Sequence, residues 1–211
     1  MFWKKDAVQG TIAAGNGTSG NSDNQLNRPH GLAYDRQSNI LFVTDYGNHR
    51  IMKYFYNSSS GILVGGNSTY GLSKTQLWQP VGLFFEQSSN SLLIANYGAN
   101  NIVRWVLNDT QWSIVVGDSN GIDGNSSSLL RGPTDVMLDP MNNIYVVDRS
   151  NHRVQFFSVG QSNATTIAGK TGMVGSNATL LSSPNSITFD NQLNLYVADW
   201  YNHRIQKFSR Y

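Results

Sequence analysis

Short apolar segments separated by polar turns run along the whole chain, and the long Ala, Glu, Lys and Leu stretches that favour helices are absent. Runs such as ILFVTD, LLIAN, IYVVD and LYVAD are rich in β-branched and aromatic residues, which is typical of strands buried on both faces. Asn, Ser and Gly are abundant between these runs and favour turns. The pattern predicts an all-β chain.

The apolar pattern repeats four times. Pro29, Pro80, Pro133 and Pro184 begin four units, which reach Asp45, Asn96, Asp148 and Asp199 at spacings of 51, 52 and 51 residues. Each unit begins with one strand (PHGLAYD, PVGLFFE, PTDVMLD, PNSITFD) and continues with the buried run, a third strand (RIMKY, NIVRW, RVQFF, RIQKF) and, in three units, a fourth (ILVGG, SIVVG, TTIAG). A fixed period of this length indicates a repeat architecture.

Four short antiparallel strands in about 50 residues correspond to one blade of a β-propeller, because one small sheet buries both faces only between neighbouring blades. A β-sandwich would not repeat one ordered motif four times. We therefore predict a single domain over residues 1–211, with repeats at 26–76, 77–129, 130–180 and 181–211 and a lone outer strand within 1–25.

The repeated pattern P-x-G-(Leu/Val)-x-x-D, a strand ending in Asp, and N-H-R-(Ile/Val) resembles the NHL repeat. The tripeptide occurs as Asn48-His49-Arg50, Asn151-His152-Arg153 and Asn202-His203-Arg204, and the second unit departs from it with Ala99-Asn100-Asn101. The resemblance covers residues 26–211 and implies a propeller. It does not identify a function, because the activity of a propeller depends on its loops and axial residues.

The two chain ends match in phase. In three repeats an aromatic residue near the end of the third strand lies 12 residues before the glycine that follows the fourth strand, and Trp3 and Gly15 have the same separation. The last repeat lacks a fourth strand. We expect GTIAAG, residues 10–15, to pair with residues 204–208 and close a four-blade ring. The alternative is an open four-blade arc of a six-blade propeller, since the same phase would arise if two repeats were missing.

Composition excludes several kinds of chemistry. The chain has no cysteine, so disulfides, thiolate nucleophiles and cysteine-bound zinc are excluded. Fifteen basic and 13 acidic side chains, spread along the chain, do not indicate an RNA-binding surface, although some NHL domains bind RNA. No apolar run is long enough to span a bilayer, and neither a Ser nucleophile elbow nor a phosphate loop is present.

N-glycosylation sequons favour an extracellular location over a cytoplasmic one, although the first residues do not resemble a signal peptide. They lie at Asn16, Asn57, Asn67, Asn108, Asn125, Asn163 and Asn177. A secreted protein would need a targeting segment that this sequence lacks.

An acidic and a basic residue lie five positions apart across the turn between the second and third strands. The pairs are Asp45 with Arg50, Asp148 with Arg153, and Asp199 with Arg204. A catalytic carboxylate would not occur three times, whereas a structural ion pair would. In the second unit Asn96 and Asn101 replace both partners together, which avoids leaving one buried charge unpaired.

Residues at the start of the innermost strands are expected to line the central channel. They are His30, Val81, Thr134 and Asn185, with Gly31, Gly82, Asp135 and Ser186 beside them. They differ between repeats, as residues of a binding site would. The family includes metal-dependent amidating lyases and lactonases, which makes His30, Asp135 and Asn185 candidates for a calcium or zinc site on the axis; no other cofactor is implied.

Aromatic residues Tyr46, Tyr97, Trp200 and Tyr201 follow the second strands, next to the tripeptide, where they could contact a partner or pack between blades. We predict a noncatalytic binding scaffold that presents loops of one face to a protein, peptide or glycan. The alternatives are a metal-dependent lyase or lactonase and an RNA-binding domain.

Overall fold

The computed structural model describes residues 10–209 and has an all-β architecture of four antiparallel sheets, as predicted. The first blade consists of β1 (Pro29–Asp35), β2 (Ile40–Asp45), β3 (Arg50–Phe55) and β4 (Ile62–Gly65); the second of β5 (Pro80–Glu86), β6 (Ser91–Asn96), β7 (Asn101–Val106) and β8 (Ser113–Gly117); the third of β9 (Pro133–Leu138), β10 (Ile144–Asp148), β11 (Arg153–Phe157) and β12 (Thr165–Gly169); and the fourth of β13 (Ser186–Phe189), β14 (Leu195–Asp199) and β15 (Arg204–Phe208). Together they form a four-blade β-propeller.

A three-residue 3-10 turn joins the second and third strands of every blade. The four turns are Tyr46–Asn48, Tyr97–Ala99, Arg149–Asn151 and Trp200–Asn202. Each is followed by a residue with left-handed backbone: His49, Asn100, His152 or His203, at φ between 54° and 57°. Asn and His are enriched in this conformation, which explains the residue types at these positions.

The hydrophobic core is divided into layers between consecutive blades. Phe42 and Ile51 of the first blade pack with Leu92 and Ile94 of the second. The next two layers repeat this arrangement between the second and third blades and between the third and fourth. Each internal sheet therefore buries both faces, as expected of a propeller.

The predicted closure of the ring by residues 10–15 is corrected by the structure. These residues form no strand, and they make no backbone hydrogen bond with residues 204–208; Trp3 lies outside the described residues. Instead Ala14 packs on the outer face of the first blade against Val43, Met52 and Tyr54. The following connection is held there as well, because the Arg50 guanidinium donates to the carbonyls of residues 21, 22 and 25.

Each end blade has an exposed apolar side chain on its outer side. Leu32 on β1 is 64% exposed and Ile205 on β15 is 65% exposed, whereas Ile102, at the position of Ile205 in the second blade, is fully buried. Extensive strand contacts among the described residues join only consecutive blades. The arrangement matches the open arc of blades that was the alternative expectation.

Candidate functional site

The first strands of all four blades converge on one groove of about 450 Å³. It is lined by the eight predicted axial residues His30, Gly31, Val81, Gly82, Thr134, Asp135, Asn185 and Ser186. Glycine at position 82 is required by the close approach of the strands, since a Cβ there would lie 2.6 Å from the Asp135 Cα and the Thr134 carbonyl oxygen. The structure thus brings together residues that are separated by about 50 positions in sequence.

Asp135 joins the third and fourth blades within this groove. Its carboxylate accepts hydrogen bonds from Ser186 Oγ at 2.6 Å, from the Ile187 backbone N–H at 3.0 Å and from the Val136 backbone N–H at 3.0 Å. Burial raises the pKa of Asp135, and these three hydrogen bonds oppose the rise. Asp135 therefore already holds two blades together, which limits the lone pairs that it could offer to a ligand.

Thr134 carries a buried hydroxyl in the groove with unused hydrogen-bonding capacity. Its side chain is 2% exposed, and its Oγ1 has no hydrogen-bond partner among the described residues. By contrast, the buried hydroxyl of Thr44 on β2 is paired, since Thr44 Oγ1 donates to the Val81 carbonyl at 2.9 Å. A buried hydroxyl without a partner is costly, so a ligand group or water at Thr134 would recover that cost.

Aromatic and basic side chains surround the mouth of the groove on the turn face, which we define as the four 3-10 turns. Tyr46, Tyr97, Arg149 and Trp200 occupy the same position in successive blades. The His30 and Tyr46 ring centroids are 4.8 Å apart, and the Arg149 guanidinium lies 4.4 Å above the Trp200 ring. Tyr201, in contact with Trp200, is 61% exposed.

Sequence reasoning selected the aromatic residues of this face and missed Arg149. Alignment of the four units would have found it, because Arg149 follows Asp148 as Tyr46 follows Asp45. Its stacking on Trp200 joins the third and fourth turns into one continuous surface.

The three acid–base pairs lie below the turn face and belong to the scaffold. Their Nε–Oδ2 distances are 2.7 Å for Arg50–Asp45, 2.8 Å for Arg153–Asp148 and 2.8 Å for Arg204–Asp199. Each carboxylate also accepts a backbone N–H from the segment entering its blade. Each guanidinium donates to three carbonyl groups of the same connection, so the pair fixes the connection between blades.

In the pair of the fourth blade, the hydrogen bonds of Asp199 lower its pKa. Burial alone would raise the pKa of Asp199, but donors from Asn202, the Ser182 backbone and Arg204 outweigh burial and lower it. In the second blade Asn96 and Asn101 replace the pair, with Asn96 Nδ2 donating to Asn101 Oδ1 at 3.2 Å. The Asn96 Oδ1 accepts the Trp78 backbone N–H at 2.7 Å, as the carboxylates do elsewhere.

Two of the three histidines of the NHR tripeptides connect neighbouring blades. The Gln79 backbone N–H donates to His49 Nδ1 at 3.1 Å, and the Ser183 N–H donates to His152 Nδ1 at 3.0 Å. Burial lowers the pKa of both histidines, which favours the neutral ring that can accept. They lie in different blades, and no group of three His, Cys, Asp or Glu side chains able to hold a metal occurs in residues 10–209.

The sequence matches the NHL repeat family over residues 26–54, 130–157 and 181–208. Two curated proteins are each 24% identical to this chain. One is the chloroplastic protein SUPPRESSOR OF QUENCHING 1 of Arabidopsis thaliana, matched over 88% of this chain and 20% of that protein. The other is a probable peptidyl-alpha-hydroxyglycine alpha-amidating lyase of Caenorhabditis elegans, matched over 64% and 38%. The chain spans less than half the length of either relative.

Solved structures show the same fold. A gluconolactonase from Xanthomonas campestris has a TM-score of 0.67 at 18% identity, over 90% of this chain and 60% of that chain. An auxiliary nutrient binding protein from Bacteroides thetaiotaomicron has a TM-score of 0.66 at 18% identity, over 86% and 47%. A nidogen/laminin complex gives 0.62 at 19% identity, over 88% and 65%. The three matches to the NHL repeat thus coincide with the first three strands of the first, third and fourth blades of the β-propeller.

Proposed function

We propose that the chain is a noncatalytic binding scaffold whose turn face and axial groove hold a protein, peptide or glycan. The proposal rests on the Thr134 hydroxyl, which is buried in the groove without a partner, beside a surface formed by Tyr46, Tyr97, Arg149 and Trp200. A ligand that carries hydroxyl or amide groups would bond to Thr134, and its apolar parts would contact the aromatic rings. The fold is shared with a nutrient binding protein and with a nidogen/laminin complex.

Peptide and glycan arrays probed with the purified chain test this proposal, followed by calorimetry on any ligand found. Trp200→Ala and Thr134→Val should each weaken binding about tenfold, the effect of losing one buried contact or hydrogen bond. Tyr56→Ala is a matched control, because Tyr56 is an exposed aromatic residue that follows β3, away from the turn face. Ligands that bind both groove variants as tightly as the unaltered chain would refute the proposed site.

A metal-dependent lyase or lactonase is the second candidate. His30, Asp135 and Asn185 line one groove, and the similar proteins include a probable amidating lyase and a gluconolactonase. Stoichiometric calcium or zinc in the purified chain that is lost in His30→Ala would favour this function. Against it stand the three hydrogen bonds that already occupy Asp135.

RNA binding is supported least. A steep fall of RNA affinity with salt would be needed to favour it.

We also propose that the protein is extracellular and glycosylated. Exposed asparagines occupy all seven sequons, at Asn16, Asn57, Asn67, Asn108, Asn125, Asn163 and Asn177. Secretion from a eukaryotic host behind an added leader, with mass measured before and after N-glycosidase treatment, tests whether they accept glycans. An unchanged mass would count against the proposal. No helix among residues 10–209 is long and apolar enough to cross a membrane.

A further inference from the structure

Backbone groups on the walls of the axial groove are already hydrogen-bonded within the protein. The Gly31 N–H donates to Thr44 Oγ1 at 2.6 Å, and the same hydroxyl donates to the Val81 carbonyl at 2.9 Å. In the fourth blade, the Ile187 N–H donates to Asp135 at 3.0 Å. An extended peptide binds a sheet through its backbone groups, so these groups are not available to one.

The side chains at the first axial position, by contrast, are free. His30, Thr134 and Asn185 each follow the proline that begins their repeat, and all three line the groove. The His30 and Asn185 side chains make no hydrogen bond to another residue of 10–209, and neither does Thr134 Oγ1. The unused hydrogen-bonding groups therefore surround the axis one by one, which suits a compact ligand that carries hydroxyl groups in several directions.

Flat apolar surface lies next to these polar groups. The Tyr46 ring centroid is 4.8 Å from that of His30, and Trp200, 52% exposed, follows the strand to which the Asn185 N–H is bonded. The groove volume of about 450 Å³ is within the range of small-ligand sites. Exposed aromatic rings beside hydroxyl-binding groups match the two kinds of surface on a sugar, its C–H faces and its hydroxyl edge.

Arg149 interrupts the aromatic pattern of the turn face with a positive charge. Tyr46, Tyr97 and Trp200 occupy its position in the other blades, so the fold does not require a cation there. Arg149 is partly buried over the Trp200 ring, and it takes part in none of the ion pairs among residues 10–209. A guanidinium fits a carboxylate through two parallel hydrogen bonds, so a ligand carboxylate would complete its contacts.

We propose that the axial groove and the turn face bind a glycan through a hexuronate residue. Its carboxylate pairs with Arg149, and its hydroxyl groups bond to His30, Thr134 and Asn185. An adjoining sugar ring packs on Trp200. This inference deepens the proposed function and rests on it, because it selects an acidic glycan from the ligands named there.

An acidic peptide is the competing ligand. Its carboxylates could pair with Arg149, but its backbone would meet groove walls whose Gly31 N–H and Val81 carbonyl are already bonded to Thr44. The two ligands therefore differ in whether charge alone suffices for binding.

Isothermal titration calorimetry with four probes tests the proposal. Trigalacturonate and triglucuronate are the acidic sugars, trigalacturonate methyl-esterified on every carboxylate is the matched neutral sugar, and a peptide of three glutamates is the acidic peptide. At least one of the two acidic sugars should bind saturably. The methyl ester and the peptide should bind at least about tenfold more weakly than that sugar, since the ester lacks the charge and the peptide lacks the hydroxyl groups.

Two matched variants locate the binding. Arg149→Gln should weaken binding of the acidic sugar at least about tenfold and leave the ester unaffected. Arg36→Gln makes the same change of net charge at an exposed position after β1, at the end of the blade opposite the turn face, and should leave both affinities unchanged. Circular dichroism checks that both variants are folded.

Four results would overturn the inference. They are no binding of either acidic sugar, equal binding of acid and ester, equal affinity of Arg149→Gln and the unaltered chain, and binding of the peptide as tight as that of the sugar. The proposed function fails separately. If the arrays yield a neutral glycan or a peptide whose binding depends on Thr134 and Trp200, the binding scaffold stands and the hexuronate does not.

Discussion

At the scale of single residues, Thr134→Val is expected to change stability and ligand binding in opposite directions. Its buried Oγ1 has no partner among the described residues, and valine has nearly the same shape. Without ligand, Thr134→Val should therefore raise the free energy of unfolding by about 1 kcal/mol, because the cost of an unpaired buried hydroxyl is removed. Urea denaturation measures this. Destabilisation by the same amount would show that the hydroxyl is paired in solution, for instance with water.

The buried pair Asp148–Arg153 gives a second prediction. Asp148→Ala leaves the Arg153 guanidinium, 3% exposed, without its carboxylate and should cost about 3 kcal/mol. The double change Asp148→Asn with Arg153→Asn reproduces Asn96 and Asn101 of the second blade and should cost less. Chemical denaturation measures the loss in free energy of unfolding for the two variants. Equal losses would mean that the two positions are not coupled.

The three ion pairs could be predicted from the sequence because partners five residues apart must meet across one short turn. The free hydroxyl of Thr134 could not, since its surroundings come from separate blades. Nor could the role of Asp135, which was a candidate metal ligand in sequence and bonds to Ser186 in the structure. Residue pairs that are local in sequence were predictable, and contacts between blades were not.

At the scale of elements, the left-handed residue after each of the first three 3-10 turns forms a hydrogen bond to the segment that enters the next blade. His152 Nδ1 accepts the Ser183 backbone N–H, and in the second blade Asn100 Oδ1 accepts the Gly132 N–H at 2.9 Å. His203 has the same backbone conformation, but its exposed side chain has no hydrogen bond to a described residue. These three turns therefore share one backbone conformation, and the hydrogen bond to the next blade is present at His152 and Asn100 but not at His203.

His152→Ala should lower the free energy of unfolding by about 1 kcal/mol more than His203→Ala, because both lose the left-handed preference and only the first loses the bond. His152→Asn should retain most of the stability, as Asn100 does in its own blade. Thermal or urea denaturation of the three variants measures this. Equal effects of the two alanine changes would show that the Ser183 bond contributes nothing.

The same bond has a pH dependence of known sign. Burial lowers the pKa of His152 in the folded chain, and the unfolded value is about 6.5. The contribution of the neutral His152 ring to the free energy of unfolding is therefore complete above about pH 6.5, and it is lost as the pH falls through the lower pKa of the folded chain. The stability difference between the unaltered chain and His152→Asn should change over that interval. A difference that is constant down to pH 4 would contradict the neutral acceptor.

At the scale of the whole molecule, each blade is stabilised by its neighbours. Among residues 10–209, the second blade lies between two core layers, whereas the fourth has three strands and packs against one layer. We expect amide hydrogen exchange to be faster in β13–β15 than in β5–β7. Mass spectrometry of peptides from each blade measures this. Uniform protection would indicate that the four blades unfold as one unit.

The number of blades in this chain and their strand order were predictable because every repeat carries the pattern of the first three strands. The position of residues 10–15 was not predictable, since GTIAAG has the sequence pattern of a fourth strand but forms no strand in the structure. Contacts of Ala14 with Val43, Met52 and Tyr54 decide its place, and these depend on the curvature of the whole arc.

The uncharged Asn96–Asn101 contact has a consequence for the history of such repeats. A blade that exchanges Asp and Arg for two asparagines one substitution at a time must pass through a form with a single buried charge. Both forms with a single charge are expected to be less stable than the charged pair and than the two asparagines. Stepwise exchange between the two versions of the blade therefore passes through a less stable protein. Duplication of a whole blade copies either version without that step.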